Sequence, residues 1–261
     1  MGLEAAATQA TADWSEQYST AAAWWVWALA IALTSALALL VVRAMLTHRQ
    51  YKVRFALPEE GRRRVEEAVA AAERRTVGEI LPVVLGRSDR YPAANLVCGI
   101  LFAIAGFLIA WAIPVRVEPL AYLMVQLGSG FLGWMLCRSL PELRRRFVPP
   151  WQLSAMAEET AAHEFFRQNL HNTRERTGVL LFVSLFERRV VVLGDEGIAS
   201  QVNDKAWKEL NAVILEAAAR GALAEGLCAA VERMGAVLAE HFPWQEGDRD
   251  ELPNHVVVRA E

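Results

Sequence analysis

Cysteine is scarce in this chain of 261 residues, and no grouping of cysteine and histidine has the spacing of a zinc site. Three cysteines fit no disulfide framework, so we expect Cys98, Cys137 and Cys228 to be reduced thiols in structural positions. An excess charge of either sign is also lacking, since 27 basic and 30 acidic residues give a net charge of -3. Without a strongly basic surface, nucleic acid is not expected as a partner.

Several catalytic motifs are missing as well. There is no Gly-x-Ser-x-Gly elbow, no Gly-x-x-x-x-Gly-Lys-Ser/Thr loop and no cysteine in an arginine-rich phosphate loop. Residues 163–167 read HEFFR, which lacks the second histidine of a zinc-binding HExxH helix, so His163 is expected to face solvent or to pack. A covalent phosphatase mechanism therefore has no visible nucleophile.

Apolar residues, by contrast, are abundant: they make up 54% of the chain, and the mean hydropathy is +0.20. Residues 21–42, 91–115 and 119–137 contain no Asp, Glu, Lys or Arg. At a rise of about 1.5 Å per residue, each stretch is long enough to cross a hydrocarbon core. The sequence therefore predicts a membrane protein with three transmembrane helices, at 21–46, 95–113 and 119–137.

The first apolar stretch has the features of a retained anchor rather than of a cleaved signal peptide. Residues 1–20 carry acidic side chains and no basic ones, which is the wrong charge for the start of a signal peptide. Trp24, Trp25 and Trp27 mark one membrane interface, and Arg43 marks the other.

Basic residues orient the chain. They follow the first and third stretches, whereas the N-terminal tail has none and the link between the second and third has only Arg116. Because cytoplasmic flanks carry the excess of Lys and Arg, we expect the N-terminus outside and residues 43–94 and 138–261 in the cytoplasm. This predicts a multi-pass protein of the inner (plasma) membrane. Its partners would be the lipid bilayer and another membrane protein or a second copy.

The second and third stretches form a predicted helical hairpin. Residues 128–133 read GSGFLG, which matches the GxGxxG pattern of dinucleotide-binding loops. That function requires a strand before the glycines and a helix after them, and here the glycines lie within an apolar span. Close helix packing against Gly99, Ala103 and Gly106 is the favoured interpretation.

The polar regions predict a small mixed sheet covered by helices, an α/β (α+β) domain. Apolar periodicity favours helices at 58–75, 153–170, 204–220 and 222–240. Residues 79–85 and 178–186 have the composition of strands, the second buried on both faces, and 190–193 return as its hairpin partner after a turn at 187–189. Pro82 is expected to place the first strand at an edge or an irregular position. The predicted segments are a tail at 1–20, a domain split into 55–92 and 148–242 by the transmembrane hairpin, and a loose acidic tail at 243–261.

Short motifs in these regions resemble the TPM domain family. The first motif, at the start of the first strand, consists of Thr76, Gly78, Glu79 and Ile80. The second is RTGVLLFVS at 176–184, and the third is GDEGI at 194–198. The family includes thylakoid-lumen proteins linked to photosystem II repair and described as acid phosphatases, and bacterial membrane proteins of unknown role. Members commonly place the domain outside the cytoplasm, whereas the inserted hairpin and the charge pattern of this chain do not follow that arrangement.

A few acidic residues are candidate metal ligands. Glu79 begins the first strand, Asp195 follows the strand hairpin, and Asn203 and Asp204 begin a helix. Ca²⁺ and Mg²⁺ prefer several such oxygen ligands, so Glu79, Asp195 and Asp204 could form a metal site at the strand ends. Turn formation by Asp195 and helix capping by Asp204 are the alternative roles.

Two hypotheses of function follow. In the first, the chain is a non-enzymatic accessory or interaction module at the cytoplasmic face of the membrane. In the second, suggested by the family resemblance and the acidic residues, it is a weak phosphatase assisted by a divalent metal. A transporter or channel is disfavoured because the three apolar stretches, 21–42, 91–115 and 119–137, contain no charged residue that could serve a substrate or ion path.

Overall fold

The computed structural model describes residues 53–112, 119–202, 204–246, 251–252 and 255–259, and for 204–206 the backbone alone. The predicted tail at 1–20 and the predicted span at 21–46 lie outside the described residues, as does Asn203.

The described elements follow the predicted order of helices and strands closely. A 3-10 turn at Leu170–Asn172 precedes the second strand. In chain order the elements are α1 (Val53–Ala56), α2 (Glu59–Glu73), β1 (Glu79–Leu85), α3 (Pro92–Ala112), α4 (Pro119–Ser139), α5 (Pro141–Arg146), α6 (Pro150–Arg167), β2 (Gly178–Ser184), β3 (Arg189–Gly194), α7 (Glu196–Ala199), α8 (Asp204–Ala219), α9 (Leu223–His241) and β4 (Val257–Arg259).

The four strands form one mixed sheet in the order β3-β2-β1-β4. β1 runs parallel to both β2 and β4, whereas β2 and β3 form an antiparallel hairpin. Glu79 pairs with Gly178, and Leu85 pairs with Ser184. The N-terminal ends of β1 and β2 therefore meet at one end of the sheet, and their C-terminal ends meet at the other.

Helices cover both faces of the sheet, as the apolar strands require. Ile80 and Val84 of β1 belong to the core that contains Val65 and Val69 of α2 and side chains of α8 and α9. The alternate positions, Leu81 and Val83, belong to the core beneath α6. Every residue of β1 and β2 is buried, which confirms the prediction that the second strand is covered on both sides.

The helices α3 and α4 form the predicted hairpin. Each is 21 residues long and apolar enough to cross a membrane, by length and composition. Most of their surface is not covered by the rest of the described chain, since 22% and 11% of their most apolar windows are buried. Many large apolar side chains are consequently exposed. They include Leu96, Ile100, Ile104, Leu108 and Ile109 on α3, and Leu120, Met124, Leu127 and Phe131 on α4.

The glycines of the GSGFLG segment pack between these two helices. A Cβ atom added to Gly130 would lie 3.2 Å from Cβ of Ala103, and one added to Gly133 would lie 2.5 Å from Cβ of Phe102. Gly128 differs, because a Cβ atom there would meet none of the described residues within 4 Å. The packing interpretation therefore holds for Gly130 and Gly133, while Gly128 has no close neighbour in the described part of the chain.

Pro82 occupies an interior strand, contrary to the prediction of an edge or irregular position. Successive N–H groups of a strand point to opposite sides. The N–H of Glu79 points towards β2 and donates to the carbonyl of Thr177, whereas the N–H of Ile80 points away from β2 and donates to Oε1 of Glu73 at 2.8 Å. Pro82 shares the side of Ile80, and pairing with β4 begins only at Val83. The missing N–H of proline therefore removes no bond to β2.

The acidic tail contains a strand that the sequence pattern did not indicate. Val257–Arg259 forms β4 against Val83–Leu85, and Pro243 makes an isolated bridge with Thr76. The valines of this short segment form a fourth strand beside β1. The segment was not predicted as a strand because the residues before it are mostly acidic or polar. The expectation of a loose tail is corrected for these residues.

Candidate functional site

Glu79 lies at the N-terminal end of the parallel strands, in a small polar cavity. Its side chain is buried, and Oε1 accepts a hydrogen bond of 3.0 Å from the backbone N–H of Glu251. The cavity has a volume of about 150 Å³. It is lined by Glu79, Glu175, Glu246, Glu251, Arg174 and three uncharged residues.

Asp195 begins the short helix α7. Its Oδ1 accepts a hydrogen bond of 2.8 Å from the N–H of Glu196, and its own N–H donates to the carbonyl of Gly178 at 2.9 Å. The second oxygen, Oδ2, is buried and has no hydrogen-bond partner among the described residues. A Cβ atom added to Gly197 would lie 2.7 Å from the carbonyl oxygen of Arg176, so this position requires glycine for close approach. Asp195 therefore caps α7, whereas the alternative role expected from the sequence was turn formation.

Glu79 and Asp195, two of the three predicted metal ligands, lie at the same end of the sheet, at the ends of strands that are not neighbours. Glu79 is in register with Gly178, whose carbonyl binds Asp195, so the strand β2 lies between the two acidic residues. Neighbouring strands are about 4.8 Å apart, which places β1 and β3 about 10 Å from each other. The side chain of Asp204 lies outside the described residues. Among the described residues, no group of three or more His, Cys, Asp or Glu side chains is placed to hold a metal.

The opposite end of the sheet holds a buried carboxylate that the sequence did not reveal. Glu187 is fully buried and accepts three hydrogen bonds: from the N–H of Ser88 at 3.0 Å, from the hydroxyl of Tyr91 at 2.8 Å and from the hydroxyl of Ser184. Hydrogen bonds of this number satisfy the charge that burial would otherwise destabilise. The sequence predicted a turn at 187–189 between two strands, and the structure has that turn. The side chain of Glu187, its first residue, is buried rather than exposed.

Tyr91 joins this carboxylate to the start of the apolar hairpin. It is the residue before Pro92, where α3 begins, and its ring stacks on Phe186 with centroids 5.4 Å apart. Burial, and next the charge of Glu187, raises the pKa of the Tyr91 hydroxyl above its ordinary value. The backbone φ of Tyr91 is 49°, a left-handed conformation that a tyrosine adopts only when its surroundings impose it.

Arginines bind the other side of the hairpin base to the same turn. Arg145 of α5 donates from Nε to the carbonyl of Phe186 at 3.1 Å and from Nη2 to that of Glu187 at 3.4 Å. Arg144 is buried and donates from Nε to the carbonyl of Cys137 at 3.4 Å. Burial, with Arg87 nearby, lowers the pKa of Arg144. Both ends of the hairpin are thus bonded to the end of the sheet where β1 and β2 terminate. We call the residues that make this attachment the junction: Ser88, Tyr91, Arg144, Arg145, Ser184 and Glu187.

The other chemically distinctive residues have structural surroundings. His163 is exposed, as expected for a helix position without a zinc partner. Cys98 and Cys137 are free and buried, and each contacts a backbone carbonyl of the opposite hairpin helix. Cys228 is free and partly buried.

The fold is therefore a three-layer α/β domain with an apolar hairpin inserted after its first strand. Residues 150–237 match the family model of the TPM domain, and the chain carries a TPM domain. The match begins after the hairpin, and the structure adds β1 to the same sheet. A solved structure with related features is that of BA42 protein from the psychrophilic bacterium Bizionia argentinensis sp. nov., with 22% identity over 78% of this chain and 95% of that chain and a TM-score of 0.48. No curated protein matches the chain.

Proposed function

We propose that the chain is an integral membrane protein whose TPM domain acts as an interaction module at the membrane surface, without catalysis of its own. The observation that carries this proposal is the hairpin of α3 and α4, whose apolar side chains face away from the domain along both helices. In water such a surface would be strongly unfavourable, whereas in a hydrocarbon core it is favourable.

The junction supports the proposal because it holds the domain to the hairpin through buried contacts. Tyr91 before α3 and Arg145 after α4 both bond to the turn between β2 and β3. A domain attached in this way presents the same end of its sheet to the membrane surface. Its opposite end, with Glu79, would then face away from the bilayer.

The distribution of basic residues supports a cytoplasmic location for the TPM domain. Arginines lie on both sides of the hairpin base, including Arg87 and Arg90 before α3 and the sequence Arg144-Arg145-Arg146 in α5. Cytoplasmic flanks of membrane helices carry such an excess. The proposed location is therefore the inner (plasma) membrane, with the TPM domain in the cytoplasm and a membrane protein or a second copy as its partner.

Membrane fractionation tests the proposal. The full chain should remain in the membrane pellet after an alkaline wash. The predicted span at 21–46 could hold the full chain by itself, so the hairpin is tested on residues 47–261, which should also stay in the pellet. In that shorter chain, two charged substitutions in each hairpin helix, at exposed positions such as Ile104 and Leu108 of α3 and Met124 and Leu127 of α4, should cause release. Two charged substitutions at exposed positions of α2, such as Arg63→Glu and Glu67→Arg, give a matched control that keeps their ion pair and should stay in the pellet.

The metal-assisted phosphatase is the alternative, and the polar cavity beside Glu79 is the observation in its favour. Four carboxylates line that cavity. Glu79 and Asp195 each already accept a hydrogen bond from a backbone N–H, and the side chain of Asp204 lies outside the described residues. Hydrolysis of a generic phosphomonoester, measured with and without Ca²⁺ or Mg²⁺, separates the two functions. Turnover that Glu79→Ala or Asp195→Ala abolishes, and that the exposed control Glu159→Ala preserves, would overturn the non-enzymatic proposal.

A further inference from the structure

An apolar cavity lies beside the junction, at the end of the sheet to which the hairpin is attached. Its volume is about 390 Å³, within the range of about 300–1,000 Å³ that is usual for small-molecule sites. Three parts of the fold enclose it: the short helix α1, the end of β2 with the turn that follows, and the connection between α8 and α9. The turn is the one whose carbonyls bind Arg145.

Most of the cavity lining is apolar, with Phe55, Leu185, Ile214 and Leu215 among its side chains. Phe55 is 51% exposed, so an aromatic ring lies partly in solvent beside the opening. An exposed apolar ring that continues an apolar cavity lining offers a surface that an apolar ligand can cover. A ligand for this cavity would therefore need an apolar part that can enter the cavity from water or from a bilayer.

Arg188 is the charged side chain of the lining, and its side chain is half exposed. It forms an ion pair with Glu142 of α5, at the base of the hairpin. A guanidinium group beside an apolar cavity fits an anionic group attached to a hydrocarbon chain. Glu142 would compete with such an anion for Arg188.

We propose that this cavity binds one acyl chain of an anionic lipid, with the headgroup at Arg188. The inference rests on the proposed function, because the membrane hairpin would bring the cavity to the bilayer surface. Two sources share the required chemistry: a phospholipid of the bilayer and a free fatty acid. The location beside the hairpin base favours the phospholipid.

Photochemical labelling tests the site on the full chain reconstituted in phosphatidylcholine vesicles. The probe is phosphatidylglycerol with a diazirine in one acyl chain, and labelled peptides are mapped by mass spectrometry. We expect labels within 53–56, 183–188 or 214–223. Labels confined to 21–46, 92–112 and 119–139 would overturn the site, while absence of the chain from alkaline-washed vesicles would instead contradict the proposed membrane function.

Two tryptophan substitutions on α8 give a matched pair. Ala219 lines the cavity and is itself exposed, so Ala219→Trp should obstruct the opening without disturbing the core. Labelling of the cavity peptides should fall by about ten-fold or more. Ala212 is exposed on the same helix outside the lining, and Ala212→Trp should be labelled like the wild type. Equal labelling of the two variants would overturn the site.

The headgroup contact has its own variants. Arg188→Gln should weaken labelling by phosphatidylglycerol about two- to five-fold, as expected for a half-exposed ion pair, and should leave labelling by a diazirine phosphatidylcholine unchanged. Glu142→Gln should increase labelling by the anionic probe, because it frees Arg188 from its competitor. Identical responses to the two probes would overturn the assignment of Arg188.

A diazirine fatty acid, added to the chain in neutral detergent micelles, distinguishes the two sources and does not depend on membrane insertion. Cavity labelling by phosphatidylglycerol in vesicles supports a bilayer lipid as the ligand. Labelling by the fatty acid alone would support the cavity and overturn the phospholipid as its source. Labelling by neither probe would overturn the proposal.

Discussion

The hydroxyl of Tyr91 donates a hydrogen bond of 2.8 Å to Oε1 of Glu187, a residue 96 positions further along the chain. One partner immediately precedes the apolar hairpin, and the other is the buried side chain of the turn between β2 and β3. The bond therefore connects the inserted hairpin with the sheet of the TPM domain. Buried polar groups that are fully bonded fix one arrangement of the parts they join.

Removal of this bond should destabilise the domain. Tyr91→Phe leaves Oε1 of Glu187 with the N–H of Ser88 alone, and the loss of one donor to a buried acceptor costs about 1–3 kcal/mol. We expect a lower midpoint of denaturant unfolding for the protein in neutral detergent. Tyr122→Phe is the matched control, since the Tyr122 ring packs beside Phe107 within the hairpin. An equal loss in both variants would contradict a specific role for Tyr91.

The same bond predicts how stability changes with pH. Burial and Glu187 raise the pKa of Tyr91 in the folded protein, whereas an unfolded tyrosine ionises at about pH 10. Above that pH the unfolded chain binds fewer protons than the folded one, so the contribution of Tyr91 to the free energy of unfolding is present below about pH 10 and decreases as the pH rises further. Unfolding measured between about pH 9 and about pH 11 should show a smaller decrease for Tyr91→Phe than for the wild type. Parallel curves would contradict this assignment.

The hairpin contacts predict opposite effects for two glycines of the GSGFLG segment. At Gly133 an added methyl group would lie 2.5 Å from Cβ of Phe102, so Gly133→Ala must separate the helices and should cost about 1–3 kcal/mol. A methyl group added at Gly128 would meet none of the described residues within 4 Å, and Gly128→Ala should stabilise α4 by about 0.5–1 kcal/mol. Thermal unfolding of both variants in detergent should give a lower unfolding temperature for Gly133→Ala than for Gly128→Ala. Destabilisation by Gly128→Ala as large as that by Gly133→Ala would contradict the packing.

Asp195 should act as a capping residue. Asp195→Ala removes the acceptor for the N–H of Glu196 and should cost about 1 kcal/mol, whereas Asp195→Asn keeps an acceptor and should cost less. The measurement is the unfolding midpoint with and without Ca²⁺ or Mg²⁺, with the exposed Glu159→Ala as control. Stabilisation by either cation that is lost in Asp195→Ala and kept in Glu159→Ala would establish a metal role in place of the cap.

Local pattern was sufficient for most of the fold. The run EILPVVL predicted β1 with the bounds that the structure gives, and GVLLFVSLF predicted a strand covered on both faces. Both predictions succeed because continuous apolar residues have no stable place except between two layers. The bounds of α8 and α9 also agree with the apolar periodicity to within one residue.

The candidate site was less accessible to sequence reasoning. Glu187 stands in an acidic and basic turn, and nothing nearby indicates that Tyr91 and Ser88 will cover it. Such burial depends on contacts between distant parts of the chain. The metal prediction for Glu79 and Asp195 depended on the same kind of information, since their separation is set by the strand between them.

Reporter fusions to the full chain test the central claim most directly, namely that the hairpin crosses the membrane and leaves the TPM domain in the cytoplasm. A reporter fused at Glu261 should be active as a cytoplasmic reporter, and one inserted at Val117, between the two hairpin helices, should report the outside. Reporters on the same side at both positions would show that the hairpin does not cross the membrane. An outside signal at Glu261 with a cytoplasmic signal at Val117 would contradict the proposed orientation.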